Sequence, residues 1–217
     1  MNSFNLNCKK CNRLSNFLVE VRANHPDYHA LPVPSFGDPD ARLLVVGMAP
    51  GMHGANATGR PFTGDHAGIL LYQTLYDLGF SNQPDGVAID DGLILTNCRI
   101  TNAVRCLPPQ NKVIAAEVNN CNTYLLDELT SLTPGSVVLA VGGTAHNAIL
   151  KALGLKKSAY KFSHGSQFDI PNKLTLLSSY HCSRYNTNTK RLTTEMFNHV
   201  FTTAQTLLKK TSDTTAS

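Results

Sequence analysis

The sequence predicts an α/β protein: a three-layer α/β/α sandwich on a central, mainly parallel four-stranded sheet. Three observations predict it. Apolar runs of strand length recur at wide intervals, segments with a helical apolar period lie between them, and Gly-rich or polar stretches follow the runs. Strands that alternate with helices belong to a parallel sheet covered on both faces.

The elements follow in order. Leu14, Phe17, Leu18 and Val21 form one helical face, and Pro26 ends that helix. The Pro-rich stretch His25–Asp40 connects over the surface. Arg42–Val46 (RLLVV) is the first strand, and a Gly-rich loop follows it. A helix over about His66–Leu78 aligns Leu71, Leu75 and Leu78, with Gly79 as its stop. Leu93–Thr96 (LILT) is the second strand. After Pro108-Pro109, a helix from about Val113 to Leu129 aligns Val118, Leu125 and Leu129. Ser136–Val141 is the third strand, and a short helix near Thr144–Leu153 follows its Gly142-Gly143 end. Lys173–Ser178 is the fourth strand. The last helix, about Leu192 to Leu208, carries Met196, Val200, Ala204 and Leu207 on one stripe.

The 217 residues suit one domain over 1–209, with a frayed tail at 210–217. Apolar residues make up 42%, enough for a core, and no apolar run reaches the eighteen or so residues that cross a membrane. The N-terminal MNSFNLNCKKCNRL lacks a basic-then-apolar signal pattern, so an intracellular, cytoplasmic protein is expected. Its six cysteines are therefore not paired into disulfides by default. A net charge of +4 permits a polyanionic partner without requiring one.

In open α/β sheets, ligands bind beyond the carboxyl ends of the strands. Here those ends carry Gly47-Met48-Ala49-Pro50, Asn97–Asn102, Gly142-Gly143 and Tyr180-His181. The least ordinary stretches of the chain thus converge on one edge, which predicts the site.

Three constellations can carry chemistry. The first is cysteine: the CxxC of Cys8 and Cys11, with Cys106 and Cys121 flanking a Pro-Pro turn and a helix start, supplies the thiols of a four-thiolate metal site. Lys9, Lys10 and Arg105 beside them favour thiolates. Thiolate count alone does not choose between zinc and iron–sulfur. Two other readings stand: a redox CxxC, and small core residues at 106 and 121. Cys98 and Cys182 are free thiols. The second is the loop Gly47–Asp65, with Gly at 47, 51, 54, 59 and 64, dense enough to wrap a planar or anionic group but fitting neither phosphate-binding fingerprint. Asp65 reads both as the N-cap of the next helix and as a carboxylate facing developing positive charge. Phe62 either plugs the core or offers a stacking face. The third is Tyr180–Thr193, where His181 follows a strand beside Arg184, Tyr185, Lys190 and Arg191. These suit a catalytic imidazole with phosphate and base contacts, or a solvated loop that caps the last helix.

Together GMAPGMHGANATGRPFTGD, TNAVRCLPPQNK…E…C and HCSRYNTNTKRLT closely resemble the type-b (family five) uracil-DNA glycosylases, from the CxxC to the final helix. The resemblance implies a [4Fe–4S] cluster of structural role on Cys8, Cys11, Cys106 and Cys121, with zinc as the lesser alternative. It implies hydrolysis of the N-glycosidic bond of a deaminated base, uracil and also hypoxanthine, flipped from DNA. His181 would donate to the leaving base, Asp65 would stabilise the sugar cation and orient water, and Asn102 would read the base edge. Phe62 would stack on the base, and Gly47, Met48, Ala49 and Gly51 would line the pocket. Arg184, Tyr185, Asn186, Lys190 and Arg191 would meet DNA as the Cys182–Thr189 loop enters the duplex. A nucleoid-associated monomer is implied. Met48 stands where type-a relatives carry a carboxylate, Ala57 where an Arg is common, and Lys190 where a Gly is common. A catalytically weak lesion-binding protein would use the same residues, and a zinc-stapled nucleotide binder is the second rival.

Overall fold

The computed structural model describes residues 4–215 of the chain, with side chains through Thr211. Its sheet has six strands: β1 (Phe36–Gly37), β2 (Leu43–Gly47), β3 (Cys98–Asn102), β4 (Val137–Val141), β5 (Gln167–Ile170) and β6 (Leu174–Ser179). The spatial order is β1-β3-β2-β4-β6-β5. The four central strands are parallel, and both edges are antiparallel additions. The α/β sandwich expected from the sequence is thus built on a mixed six-stranded sheet, not a four-stranded one, and three of the expected strands, β2, β4 and β6, lie in its middle beside β3. The two edges were missed because Phe36–Gly37 spans two residues and Gln167–Ile170 is short and polar, as edge strands that resist unwanted pairing often are.

One expected strand is displaced. Leu93–Thr96 is an extended segment outside the sheet, joined only by an isolated bridge between Leu95 and Ser81. Leu93 and Leu95 are buried while Ile94 is exposed, so the apolar alternation is real, but it packs on the core without entering the ladder. Asn97, at φ +53°, turns the chain there, and its carboxamide accepts from Arg42 N at 2.8 Å. The strand begins after that turn, at Cys98. Its sequence, CRITN, was too polar to advertise it.

Helices cover both faces. On one face α3 (His66–Asp77) and α7 (Thr194–Thr215) pack on Leu43, Val45, Ile100, Leu139 and Leu177. On the other, α4 (Ala115–Ser131) and α5 (Gly143–Ala152) pack on Leu44, Val46, Val138, Ala140 and Leu176. Strands β2 and β4 alternate their side chains between two apolar layers, which is why they read as unbroken hydrophobic runs. The stripe of α7 is centred on Phe197 and Phe201, both fully buried, beside the expected Val200 and Ala204. Helical backbone continues to Thr215, so the segment expected as a frayed tail from 210 is helical through 215. There Arg42 donates to the hydroxyl of Thr211 and tethers the helix to the sheet. The amino-terminal helix α1 (Asn12–Asn24) joins α4 through Arg13, which makes paired bonds to the buried Glu117 at 2.7 and 2.9 Å.

A contact without sequence signature holds the Gly-rich loop, which contains one short helical turn, α2 (Ala55–Thr58). Arg60, 1% exposed, forms paired bonds to Asp91 at 2.8 and 2.6 Å, donates to Thr63 Oγ1 at 2.7 Å and lies over the Phe36 ring at 4.9 Å. Asp91 also accepts from the amides of Val87, Ala88 and Leu93, so one carboxylate organises two loops. The guanidinium holds Asp91 well below the usual carboxylate range. Removing one partner of a buried, hydrogen-bonded pair costs about 3–5 kcal/mol because the other charge stays uncompensated. Asp91→Ala is therefore expected to lose that much stability in urea denaturation, and a loss under about 1 kcal/mol would show that the pair does not hold the loop.

Candidate active site

The carboxyl edge of the parallel strands opens into a cleft of about 470 Å³. The chain leaves β2 towards β3 on one side and later returns to β4 on the other. The cleft lies at that switch point, where an α/β sheet leaves room for a ligand. Met48 and Ala49 enter from β2, Asn102 from β3, Gly142 and Gly143 from β4, and His181 and Arg184 from beyond β6. Phe62 and Asp65 close it from the Gly-rich loop. Asp65, Asn102 and His181, far apart in sequence, line one cavity.

Each residue is placed by a local cause. Asp65 is the N-cap of α3: its backbone is extended and its Oδ1 accepts from Gly68 N at 3.0 Å. Burial pushes the carboxyl above the ordinary carboxylate value, outweighing the amides of Gly68 and Ala67 and the nearby His66, which pull it down. The cap reading of Asp65 therefore holds, and the same carboxyl also lines the cleft. Gly54 is what lets the carboxylate sit there, since a Cβ at 54 would stand 2.6 Å from Asp65 Cβ and Oδ2. Gly47 plays the same part for Asn102 and Phe62, whose atoms would lie 2.4 and 2.8 Å from a Cβ there.

Asn102 ends β3 in register with Gly47 and is 3% exposed. Among the described residues, no protein group hydrogen-bonds its carboxamide, which leaves one donor and one acceptor for a ligand. Phe62 is buried at φ +55°, with its ring stacked 6.2 Å from that of His181. The backbone of His181 is held by Asn186, whose Nδ2 donates to its carbonyl at 2.8 Å. Burial lowers the imidazole pKa, so a neutral ring with one N–H faces the cleft near neutral pH.

The expected DNA-contacting residues separate in space. Residues 184–188 form a short helix, α6 (Arg184–Asn188), capped by Ser183, where the sequence reading had a loop. Arg184 and Tyr185 are exposed, Tyr185 at 72%. Asn186 turns inward to His181, and Arg191 lies over the Tyr180 ring at 4.7 Å. Lys190 has φ +56°, in the left-handed region that a Gly adopts without steric cost. Sequence reasoning missed His66 and Asn111, which also line the cleft. Asn111 hides in an irregular turn, in which it and Gln110 both have φ +55°.

Cys8, Cys11, Cys106 and Cys121 are all free thiols and line one small cavity with Leu14, Val104 and Tyr124. At Cys106 and Cys121 burial outweighs the nearby cations and pushes the thiols up to about 12 and about 11, although Arg105 pulls Cys121 down. Lys10 instead lies over the Tyr124 ring at 5.1 Å. Thiolates here need a metal's charge. No group of three or more Cys, His, Asp or Glu among the described residues is placed to hold one metal ion, and zinc gains no support. A multi-iron cluster asks for a wider arrangement, since each cysteine binds a different iron. Arg105 fits an anionic cluster. It lines the same cavity at 3% exposure, bonds Glu128 at 2.7 Å, and leaves Nε and Nη1 without partners.

Fold and cleft together define an α/β protein whose sheet edge offers a carboxylate, a carboxamide and a neutral imidazole to a flat ligand. Comparison with known proteins is specific: residues 34–205 match the uracil DNA glycosylase superfamily. The chain is 46% identical over 205 residues to the type-5 uracil-DNA glycosylase of Thermus thermophilus, covering 92% of this chain and 93% of that one. It is 43% identical to the type-5 enzyme of Pyrobaculum aerophilum, over 88% and 84% of the two chains. With the type-4 uracil-DNA glycosylase of Archaeoglobus fulgidus it shares 26% identity over 81% and 76%. The chain belongs to the uracil DNA glycosylase superfamily, as a type-5 member.

The close approaches at the site are testable without substrate. Gly54→Ala forces Asp65 aside and is expected to cost about 1–3 kcal/mol, as overpacking does. Gly51→Ala, whose Cβ would meet Asp65 Oδ2 at an ordinary 3.4 Å, is expected to cost under about 0.5 kcal/mol. Equal denaturation midpoints for the two would contradict the packing described here.

Proposed function

We propose that this protein is a monofunctional, monomeric DNA-repair glycosylase that flips uracil, and also hypoxanthine, out of DNA. It hydrolyses the N-glycosidic bond and leaves an abasic site. The observation that carries this reading is the meeting of Asp65, Asn102, His181 and Phe62 in one cleft of a type-5 chain. Membership of the superfamily supports the reaction class, and the cleft supports the roles.

Breaking the bond puts positive charge on the sugar and negative charge on the departing base, so the site needs opposite complements on two sides, held in advance and shielded from water. The flat base enters beside Phe62, and the backbone at Gly47, Met48, Ala49 and Gly51 closes around it. Asn102 reads its polar edge with one donor and one acceptor. Neutral His181 donates its N–H to the base oxygen as charge grows there. Asp65, in its ionised form, faces the sugar cation and orients water. Met48 supplies no charge, which leaves Asp65 as the cleft's carboxylate. Flipping costs a few kcal/mol, least for mispaired bases. Arg184 and Tyr185 at the mouth, with Lys190, engage phosphates and stacked bases, while Asn186 and Arg191 support His181 and Tyr180.

Cys8, Cys11, Cys106 and Cys121 would hold a [4Fe–4S] cluster that ties the amino-terminal segment to α4. When bound, it supplies structural cross-linking and a compensating charge for Arg105, and hydrolysis asks nothing further of it. Cys8→Ser is expected to lower bound iron, visible absorbance and thermal midpoint together. An intact cluster in that variant would move a ligand elsewhere.

Uracil-containing oligonucleotides, cleaved by alkali after incubation, test the reaction itself, and unbroken strands would leave a lesion-binding protein. Asp65→Asn and His181→Ala are each expected to slow excision on the order of 10²-fold or more. Full rate in Asp65→Asn would reduce Asp65 to a cap. The acid limb of the wild-type rate should lie above the ordinary carboxylate value, because burial raises Asp65, and should vanish in Asp65→Asn. The sign for stability is opposite. A carboxyl raised on folding stabilises at low pH, and that contribution is lost as pH rises through its folded value. Asn caps a helix as well as Asp, so Asp65→Asn is expected to raise the thermal midpoint at neutral pH.

A further inference from the structure

We propose that His66 is a positioning residue that latches α6, the segment entering DNA, to the helical turn carrying Asp65; the role of α6 in DNA rests on the glycosylase reading above. Five residues cannot sustain a helix unaided, so the placement of α6 depends on what holds it. Its backbone and side-chain bonds are almost all internal to 181–192: Asn186 to His181, Thr189 to Tyr185, Leu192 to Asn186. Among the described residues, one hydrogen bond ties α6 to the rest of the chain, between His66 Nε2 and Thr187 Oγ1 at 3.1 Å. The Thr187 hydroxyl donates to Arg184 O at 3.1 Å or Ser183 O at 3.3 Å, so towards His66 it accepts. The tautomer that completes this network carries its proton on His66 Nε2 and donates.

The other end of the segment is held by the next residue of the same turn. Fully buried Cys182 donates to Ala67 O at 3.3 Å. Asp65, His66 and Ala67 are consecutive: the first presents the carboxylate, the second grips α6, and the third grips its root. A wedge that spreads a duplex must bear against something rigid, and here it bears on the residue beside the proposed catalytic carboxylate. Loosening the latch should therefore weaken action on duplex DNA, where flipping opposes base pairing, more than on single strands.

Two measurements test this. The first is amide hydrogen exchange over 184–190 without DNA. Thr187→Val should raise exchange there about fivefold, Thr187→Ser should restore wild-type protection, and His66→Gln, which keeps a donor near the Nε2 position, should retain it. The second is the ratio of uracil excision rates in duplex and single-stranded oligonucleotides. That ratio should fall about fivefold in Thr187→Val, the scale of one neutral hydrogen bond, recover in Thr187→Ser, and fall no further in His66→Ala/Thr187→Val. Unchanged exchange, or an equal loss on both substrates, would overturn the latch. If the wild-type protein cleaves neither substrate, the glycosylase reading fails and the exchange result alone decides the latch.

Discussion

The first turn of α3 is the constraint on which the site depends. A helix start leaves amide N–H groups without internal partners, and Asp65 satisfies one through Gly68. A side chain drawn there by helix geometry is thereby aimed at the mouth of the sheet. Burial then works against the ionised form. A cap in solvent would not meet that cost, but this one holds its carboxyl where water is scarce. The same turn holds both ends of the segment with Arg184 and Tyr185, so a displacement of the carboxylate and a displacement of the mouth are mechanically one event.

The parallel sheet supplies the rest of the geometry. Pairing Gly47 with Asn102, and Val141 with Ser179, aligns the strand ends so that the loops beyond them face one cleft. The missing side chain at Gly47 admits Asn102 and Phe62, and that at Gly54 admits Asp65. The loop bearing those glycines would be loose without the pairing of Arg60 and Asp91 behind it. Cys8, Cys11, Cys106 and Cys121 meet in one apolar cavity where the chain's beginning, the loop after β3 and α4 come together.

The residues of the candidate site were legible because their kinds and their places were unusual: a carboxylate at a helix start, a histidine just past a strand, glycines dense enough to admit close contact. Whereas the polar CRITN of β3 concealed that strand, β2, β4 and β6 were legible, because their apolar runs mark burial. Leu93–Thr96 misled for the same reason, since an extended segment packed on the core carries the pattern of one paired in the sheet. The edge strands, the short helix α6, the continuation of α7 and the position of Asn111 left no such trace. Their conformations rest on contacts with distant residues, and local composition does not record those.

By itself the sequence determined the fold class, the sheet edge that bears the site and the identities of its polar groups, because apolar period and residue chemistry are local. Only the tertiary structure decided that Asp65 is cap and buried carboxylate together, that Arg60 finds Asp91, and that His66 meets Thr187. Each of those is a pairing across tens of residues or a competition between burial and hydrogen bonding. Its outcome depends on which groups are brought within about 3 Å, and that distance exists only once the chain has folded.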